Sequence, residues 1–352
     1  MIFSNALIQW YLQNKRDLPW RNTTNPYAIW LSEIMLQQTR VAQGMPYFLS
    51  FTTAFPTVFD LAKANEEHVL KLWQGLGYYS RARNLHKTAQ HIAFNLSGIF
   101  PGNYNDLLQL KGVGEYTAAA IASFSYNEAV PVVDGNVFRV LSRYFDINTD
   151  IAQASAKKEF AALAFELMPK DNPATFNQAI MEFGAMQCIP KNPNCGSCVF
   201  NESCAALQNN KVDQLPVKSK KLKVRIRYFN YLVVADEMEN TIIQKRTDKG
   251  IWQNLYEFPL IETEKEEDFN YVSESVQDDY FKDNTVISML EYNEKSIIHK
   301  LSHQHLHIKF WNVKVKGTIE NGIDAETLRT FPFPIVIHNF IEKNLSTERL
   351  LI

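Results

Sequence analysis

The chain has 352 residues, of which 46% are hydrophobic and 21% charged, and its formal net charge is −2. This length predicts more than one domain, and the composition is typical of a globular enzyme rather than of a disordered or fibrous protein. The charge gives no global sign of a polyanionic partner, and neither a bilayer-spanning apolar stretch nor a signal-peptide pattern stands out, so we expect a cytoplasmic protein with no membrane partner.

Residues 1 to 204 are predicted to be mostly helical, because aliphatic residues recur at helical spacing between breaks at Pro or Gly. The helical segments are AIWLSEIMLQQTRVAQ, TVFDLAKANEEHVLKLW, RARNLHKTAQHIAF, YTAAAIASF, GNVFRVLSRYF and ATFNQAIMEFGAM. After Cys204 the segments RIRYFNYLVVAD, NTIIQKR and HLHIKFWNVKVKG predict strands. We therefore predict a helical domain at 1–204, a basic linker at 205–224 and a second domain at 225–352.

Glu33 lies in the first of these helical segments, among Trp30, Leu31, Ile34 and Met35. An apolar setting raises the pKa of a carboxyl group and lets it act as an acid near neutral pH. An exposed helical glutamate is the alternative.

The stretch LKGVGEYTAAA, residues 110–120, contains Gly112 and Gly114 directly before a predicted helix. Glycine permits backbone geometry closed to other residues, and the free amides at a helix start attract anions. A tight turn is the simpler reading of two glycines. The flanking LLQL and TAAAIA predict a helix on each side, which favours a helix-hairpin-helix that grips a DNA phosphate.

Asp134 stands between an apolar run and the helix that begins with GNVF. A carboxylate at this position is most often a helix cap. It can also stabilise a developing oxocarbenium ion on a sugar. The sequence leaves both roles open.

All four cysteines of the chain fall within residues 188–204, as Cys188, Cys195, Cys198 and Cys204. This clustering predicts one shared ligand, since disulfides are disfavoured in a reducing compartment. The spacing favours an iron-sulfur cluster and leaves zinc open. The basic residues 211–227 beyond them are interpreted as a solvated linker or a local nucleic-acid contact.

Together these motifs resemble the MutY-type adenine DNA glycosylases of the helix-hairpin-helix superfamily. The resemblance runs through LPWR, WLSEIMLQQTR, LWQGLGYYSRARNLH, the hairpin, VDGNVFRVL, FNQAIMEFGAMQC and the cysteines, and continues more weakly to the C-terminus. It implies an all-α helix-hairpin-helix glycosylase domain whose loop 188–204 holds a [4Fe-4S] cluster, followed by an α+β Nudix-like domain. The protein is expected to act as a monomer.

The resemblance implies removal of adenine opposite 8-oxoguanine or G in duplex DNA, in base excision repair. Glu33 matches the acid that protonates adenine N7, and Asp134 matches the aspartate that stabilises the cationic sugar. Tyr116 matches a tyrosine that assists at the sugar, and Asn136 matches an asparagine near the catalytic acid. Further positions match the adenine pocket, namely Leu18, Trp20, Arg21 and Glu182. A plain core role is the alternative for Trp20.

Gln38 and Tyr78 match residues that wedge into the duplex beside 8-oxoguanine, and Thr39 matches a residue that contacts the lesion. Tyr116 also stands where endonuclease III-like relatives have a Schiff-base lysine, which implies a monofunctional glycosylase. Lys111 replaces the usual proline of the hairpin, adds a phosphate contact and leaves weak lyase activity open.

The C-terminal domain resembles the part of these enzymes that recognises 8-oxoguanine. Leu301, Ser302 and His303 match a Phe-Ser-His loop that touches the lesion, with Leu301 in place of the phenylalanine. The acid-rich helix of a Nudix hydrolase is missing, so we expect binding without hydrolysis of nucleotides. The alternatives are an endonuclease III-like pyrimidine glycosylase, a DNA-binding or redox module without catalysis, and a Nudix hydrolase.

Overall fold

The computed structural model describes residues 2–219, 224–276 and 286–344. The chain divides into two compact units, of which the first comprises Met1–Lys63 and Asn84–Lys220 and the second Ala64–Arg83 and Lys221–Ile352. Residues 220–223, at the end of the predicted linker, lie outside the described residues. Within the described ranges, no helix has the length and apolar character to cross a membrane.

Helices dominate the chain up to residue 208. They are α1 (Ile2–Asn14), α2 (Pro26–Met35), α3 (Val41–Ala54), α4 (Val58–Lys63), α5 (Glu66–Leu72), α6 (Ser80–Asn95), α7 (Tyr104–Leu107), α8 (Glu115–Tyr126), α9 (Gly135–Phe145), α10 (Ala154–Leu167), α11 (Pro173–Met186) and α12 (Ala205–Gln208). Short 3-10 helices cover Pro19–Arg21 and Cys195–Ser197.

The first two predicted helical segments are each interrupted, which corrects the sequence-based prediction. Residues 36–40 separate α2 from α3, and residues 64–65 separate α4 from α5. Gln38 has a φ of 59°, in the left-handed region, and Asn65 caps α5 by accepting a hydrogen bond from the Glu67 amide. Neither break contains Pro or Gly, the residues at which helix breaks were predicted from the sequence. The other four predicted helical segments are confirmed.

One core of the first unit joins α1, α9, α10 and α11. Leu7, Leu141, Phe160 and Phe176 are fully buried in it, and Phe200 from the cysteine-rich loop stacks on Phe3 at 4.9 Å between ring centroids. This packing fixes the start of α9, which carries Asp134, and the cysteine-rich loop to the same group of helices.

Residues 211–219 belong to the first unit and contact it at several points. Lys211 pairs with Asp146 at 2.8 Å, and the Ile151 amide donates to the Val217 carbonyl at 3.0 Å. Ser219 also donates to Asp150. Residues 213–214 and 217–219 are exposed even so, and the basic linker at 205–224 stays a prediction.

The second unit contains the strands. They are β1 (Arg225–Ala235), β2 (Gln244–Lys245), β3 (Tyr256–Glu257), β4 (Leu260–Thr263), β5 (Val286–Glu291), β6 (Ile297–Lys300) and β7 (Gln304–Val315), with helices α13 (Phe269–Ser275), α14 (Ala325–Leu328) and α15 (Ile335–Asn344). The predicted strand NTIIQKR is mostly wrong, because only Gln244–Lys245 pair in it as a strand, with β3.

The main sheet has the order β4-β1-β7-β5, and β6 also pairs with β7. Strands β1 and β7 are parallel, whereas β4, β5 and β6 pair antiparallel with their neighbours. Val272 of α13 packs in the core that covers one face, and Phe340 of α15 stacks on Phe310 on the other at 4.0 Å. This α+β arrangement agrees with the predicted fold class.

The segment 64–83 is bound to the C-terminal part of the chain within the second unit. Glu67 Oε1 accepts hydrogen bonds from Lys245 Nζ and Tyr256 Oη, both at 2.7 Å. Arg83 donates to the Gln253 carbonyl at 2.7 Å. The contacts thus group the chain differently from the predicted domains, and the predicted bounds at 204 and 225 stay a prediction.

Candidate active site

Glu33 and Tyr116 form the centre of the site. Glu33 lies on α2, which starts at Pro26 with Asn25 as its cap, and only 7% of the residue is exposed. Tyr116, in the first turn of α8, donates its hydroxyl proton to Glu33 Oε2 at 2.7 Å. Burial is the main reason that the pKa of Glu33 rises to about 7, and the Tyr116 hydrogen bond opposes this rise. Glu33 is thus able to give up a proton near neutral pH.

Asp134 caps helix α9. Its Oδ1 accepts hydrogen bonds from the amides of Asn136 and Val137, both at 2.8 Å, and its Oδ2 accepts one from Asn136 Nδ2 at 2.7 Å. Burial raises the pKa of Asp134, while these hydrogen bonds lower it. The charge of Asp134 in turn raises the pKa of Glu33, so the two carboxyl groups belong to one site.

Arg139 connects the Asp134 cap to the cysteine-rich loop. Its Nη2 donates to Asn136 Oδ1 at 2.8 Å and to the Gly184 carbonyl at 2.6 Å, and its Nε donates to the Cys188 carbonyl at 2.7 Å. Arg139 was not among the residues predicted from the sequence. The available signal was its place on the predicted helix, three residues after Asn136 and on the same face.

Glu182 of α11 is fully buried between two arginines. Its Oε2 accepts from Arg16 at 2.5 Å and from Arg21 at 2.7 Å, and its Oε1 accepts from Arg16 Nε at 2.8 Å. Although burial works the other way, the bonds from Arg16 and Arg21 lower the pKa of Glu182 to about 2. Arg16, close to the LPWR motif, is a second residue of the site that was not predicted from the sequence.

Leu18 and Trp20 are both buried. Their exposed fractions are 5% and 7%, and the Trp20 ring packs edge-on against Phe48 at 5.0 Å between centroids. Arg21 closes the same short helix, Pro19–Arg21, and lowers the pKa of Glu33 through its charge. This helix therefore brings a cation close enough to act on the Glu33 carboxyl.

The hairpin between α7 and α8 depends on one glycine rather than two. Gly112 has a φ of +75°, and a Cβ there would lie 2.7 Å from Asn84 Cβ. Gly114 has an ordinary φ of −92°, and a Cβ there would meet nothing within 4 Å. The expectation that both need glycine geometry is wrong for Gly114, which instead caps α8 and leaves open space beside the helix amides. Lys111 is exposed next to Gly112.

Gln38 and Tyr78 share an unusual backbone conformation. Gln38 has a φ of 59° and Tyr78 a φ of 49°, and both side chains are exposed. Thr39 is half-buried beside Gln38 in the first unit. In the second unit, Tyr78 Oη and Ser302 Oγ lie 2.7 Å apart in a hydrogen bond. The exposed His303 precedes β7.

The four cysteines are free, half-buried and line one cavity together with Arg143. Arg143 donates to the Ile189 carbonyl at 2.8 Å and to Cys188 Sγ at 3.4 Å. Burial, together with the charge of the other three thiolates, raises the pKa of Cys198 to about 11. Four thiolates in this place therefore fit a cationic group that binds all of them. Within the described ranges, no three His, Cys, Asp or Glu side chains meet as a site for a single metal ion.

The structure thus gathers most predicted residues in the first unit. Glu33, Tyr116, Asp134 and Asn136 are joined by hydrogen bonds or by the mutual effect of their charges. Tyr78 and Ser302 are joined separately in the second unit.

The fold and the buried acid define a helix-hairpin-helix DNA glycosylase, and the comparisons with known proteins agree. HhH-GPD superfamily base excision DNA repair proteins match residues 31–166, and the NUDIX domain matches residues 230–343.

Known relatives identify the family within this class of glycosylases. The adenine DNA glycosylase of Buchnera aphidicola subsp. Schizaphis graminum is 35% identical over 309 residues, which cover 87% of this chain and 86% of the relative. That of Homo sapiens is 43% identical over 222 residues, which cover 60% of this chain and 41% of the human protein. This chain belongs to the adenine DNA glycosylase family.

Two solved structures share the fold. A thermostable thymine-DNA glycosylase has a TM-score of 0.55 at 28% identity, over 59% of this chain and 96% of that chain. Endonuclease III in a non-covalent DNA complex has a TM-score of 0.52 at 20% identity, over 59% of this chain and 95% of that chain. The second is a likeness of fold alone.

Proposed function

We propose that this glycosylase hydrolyses the N-glycosidic bond of adenine paired with 8-oxoguanine or G in duplex DNA, and that it leaves the strand intact. The observation that carries the proposal is the buried Glu33 carboxyl, hydrogen-bonded to Tyr116 and with a pKa of about 7. Adenine is a poor leaving group until a ring nitrogen is protonated, so its removal needs an acid that is available near neutral pH.

In this proposal, the target adenine leaves the base stack, which costs a few kcal/mol, and enters the site beside Glu33. Glu33 then gives its proton to adenine N7. Tyr116 holds the carboxyl through Oε2 and leaves Oε1 available for the base. The carboxylate that remains is stabilised by the hydrogen bond from Tyr116 and the charge of Arg21.

Asp134 is proposed to stabilise the positive charge that develops on the sugar as the bond breaks. Its two oxygens are held by three hydrogen bonds, two of them from backbone amides at the helix start. This fixes the carboxylate before the reaction, so little reorganisation is needed when the charge appears. Asn136 positions Asp134 and is itself held by Arg139.

Leu18, Trp20, Arg21 and Glu182 are proposed to form the adenine pocket. Because Glu182 is engaged by Arg16 and Arg21, its effect on the base would run through the position and charge of Arg21. A buried carboxylate with two arginines keeps this side of the pocket polar, while Leu18 and Trp20 keep the other side apolar.

Recognition of the opposite base is assigned to Gln38, Thr39, Tyr78, Ser302 and His303. The left-handed backbone at Gln38 and Tyr78 supports this, because such conformations in non-glycine residues are uncommon and occur frequently at functional sites. Gly112 and Gly114 are proposed to bring the start of α8 to a DNA phosphate, with Lys111 beside them.

The Nudix-like part is proposed to bind the lesion rather than to hydrolyse nucleotides. A Nudix hydrolase needs several acids on one helix to hold magnesium. Within the described residues 269–275, α13 has the sequence FNYVSES and Glu274 as its single acid.

Cys188, Cys195, Cys198 and Cys204 are proposed to hold a [4Fe-4S] cluster. The cavity that all four line supports this assignment. When bound, the cluster would cross-link loop 188–204 and so stiffen the carbonyl of Cys188, to which Arg139 donates. A brown protein that contains iron and sulfide is the expected result, whereas a colourless protein with stoichiometric zinc would contradict the cluster.

A glycosylase assay on A:8-oxoguanine, A:G and oxidised-pyrimidine duplexes tests the proposed substrate. We expect adenine release from the first two, faster with 8-oxoguanine, and strand breaks only after alkali. Glu33→Gln should abolish the release while DNA binding persists. Preference for the oxidised pyrimidine, or strand breaks without alkali, would favour an endonuclease III-like activity instead.

A further inference from the structure

The turn that carries Tyr78 is held in an unusual conformation. Tyr78 has a φ of 49°, and its side chain is 48% exposed although it is aromatic. Gly75 and Gly77 before it also have positive φ values, 96° and 78°. A bulky residue in this region is strained and persists only where its surroundings hold it.

Arg81 contacts this turn from the first turn of α6. Its guanidinium carbon lies 5.2 Å from the centroid of the Tyr78 ring and 5.4 Å from that of Trp73. Both distances are within the range of a cation–π interaction. Arg81 Nη2 also donates to the Gly77 carbonyl at 3.2 Å, directly before Tyr78. The arginine therefore contacts both the ring and the backbone of the exposed tyrosine.

The second aromatic partner of Arg81 is a rigid one. Trp73 is fully buried, and its Nε1 donates to the same Gly77 carbonyl at 2.9 Å. Partial burial lowers the pKa of Arg81 to about 10, so the guanidinium is still charged at neutral pH. A fixed indole, a charged guanidinium and an exposed phenol thus follow one another from the interior to the surface.

The tip of Tyr78 is fixed as well. Its hydroxyl lies 2.7 Å from Ser302 Oγ, within the same unit of the chain. The ring is therefore held on its face by Arg81 and at its hydroxyl by Ser302. Preorganisation of this kind removes the entropy cost of ordering a side chain on binding.

We propose that Arg81 is the positioning residue for Tyr78, and that its contact with the tyrosine ring sets how well the protein distinguishes 8-oxoguanine from guanine. The inference rests on the proposed role of Tyr78 and Ser302 at the lesion. Arg81 touches neither DNA base in this account. It holds the Tyr78 ring at the angle at which the ring enters the duplex, and it keeps the hydroxyl beside Ser302.

The test compares Arg81→Lys with Arg83→Lys in the full-length holoenzyme. Lysine keeps the charge at position 81 but loses the planar group that covers the ring. Arg83 lies two residues further on and donates to the Gln253 carbonyl, so its lysine variant controls for charge and for the stability of the segment. The measurements are the Kd for duplexes with 8-oxoguanine or guanine opposite an uncleavable adenine analogue, and the fluorescence of 2-aminopurine next to that base.

For Arg81→Lys we expect the ratio of the two Kd values to shrink by about fivefold, the size of one partly exposed cation–π contact, with a weaker fluorescence change. The unfolding temperature of each variant is measured alongside, so that a general loss of stability is told apart from a loss of discrimination. For Arg83→Lys the ratio should stay within about twofold of the parent. An unchanged ratio in Arg81→Lys, or an equal loss in both variants, would overturn the positioning role.

Tyr78→Ala separates this inference from the function on which it rests. If Tyr78→Ala loses the preference for 8-oxoguanine while Arg81→Lys keeps it, Tyr78 reads the lesion without help from Arg81, and only the inference is wrong. If Tyr78→Ala keeps the preference, the proposed lesion contact is itself wrong.

Discussion

Glu33 is subject to opposing electrostatic influences, and their balance sets its use as an acid. Burial and the charge of Asp134 raise its pKa, whereas the hydrogen bond from Tyr116 and the charge of Arg21 lower it, with a result of about 7. The hydrogen bond from Tyr116 therefore favours the ionised carboxylate of Glu33 over its protonated form. A carboxyl without Tyr116 would hold its proton more firmly, and one without burial would have lost it well below neutral pH.

This balance predicts the pH dependence of excision. The protonated form of Glu33 is the proposed catalyst, so the single-turnover rate should fall as pH rises through about 7. In Tyr116→Phe the hydrogen bond is lost, the pKa of Glu33 rises further, and the fall should move to higher pH. Tyr126→Phe is the control, because Tyr126 lies on the same helix and donates to the Phe100 carbonyl. A shift of the Tyr116→Phe profile to lower pH would contradict this account.

The same pKa predicts a stability effect. The folded protein holds the Glu33 proton up to about pH 7, whereas the unfolded chain releases it near the ordinary value of 4.5. Stability is therefore lost as pH rises between these values, by about 3 kcal/mol in total. Glu33→Gln cannot ionise and should lose that much less stability between pH 4 and 8 in thermal or urea unfolding. Glu115→Gln, on an exposed side chain, should follow the parent. Equal losses in all three proteins would refute the raised pKa.

At the scale of elements, the start of α8 combines the hairpin and the acid site. Gly114 caps this helix, Glu115 and Tyr116 form its first turn, and the Tyr116 hydroxyl reaches Glu33 on α2. Packing of α8 is tight because its Ala118, Ala120 and Ala122 are fully buried. One helix thus carries both the proposed phosphate contact at the hairpin and the tyrosine that holds the catalytic acid.

Replacement of the two hairpin glycines is predicted to affect different properties, stability for Gly112 and duplex affinity for Gly114. Gly112→Ala places a Cβ at a φ of +75° and 2.7 Å from Asn84 Cβ, so it should cost at least about 1–2 kcal/mol of stability. Gly114→Ala has ordinary backbone geometry and open space, so its unfolding temperature should match the parent. Its duplex affinity should nevertheless fall, if a phosphate occupies that space. Thermal unfolding and Kd measurements separate the two effects, and unchanged affinity in Gly114→Ala would place the phosphate elsewhere.

The sequence predicts these elements best where local neighbours decide the environment of a residue. The apolar neighbours of Glu33 favoured its burial and the place of Asp134 before a helix favoured a cap, each as one of two alternatives, and the structure shows both. The break at Gln38 could not be predicted, because a left-handed glutamine depends on contacts from elsewhere in the fold. The pairing of Glu182 with Arg16 was also hidden, since 166 positions separate them and no local pattern links them.

At the scale of the whole molecule, residues that are neighbours in the sequence do not all belong to the same compact unit. Residues 64–83 lie between helices of the first unit but belong to the second. Glu67 binds Lys245 and Tyr256, and Lys71 Nζ donates to the Phe331 carbonyl at 3.0 Å. A segment that looks like part of a helical domain in the sequence therefore carries Tyr78 into the unit that contains Ser302.

Hydrogen exchange should reveal this membership through two matched core variants. Phe340→Ala removes the ring that stacks on Phe310 at 4.0 Å in the second unit, and Phe160→Ala removes a fully buried ring in the first. Each should cost about 3–5 kcal/mol locally. Stability is not uniform across a structure, so protection should fall mainly in the unit that is changed. We expect residues 64–83 to lose protection together with β1 and β7 in Phe340→Ala, and to keep it in Phe160→Ala while α1, α9 and α11 lose theirs. If residues 64–83 instead followed α9 and α11, the segment would be energetically part of the first unit, and the contacts of Glu67 and Lys71 would be weak.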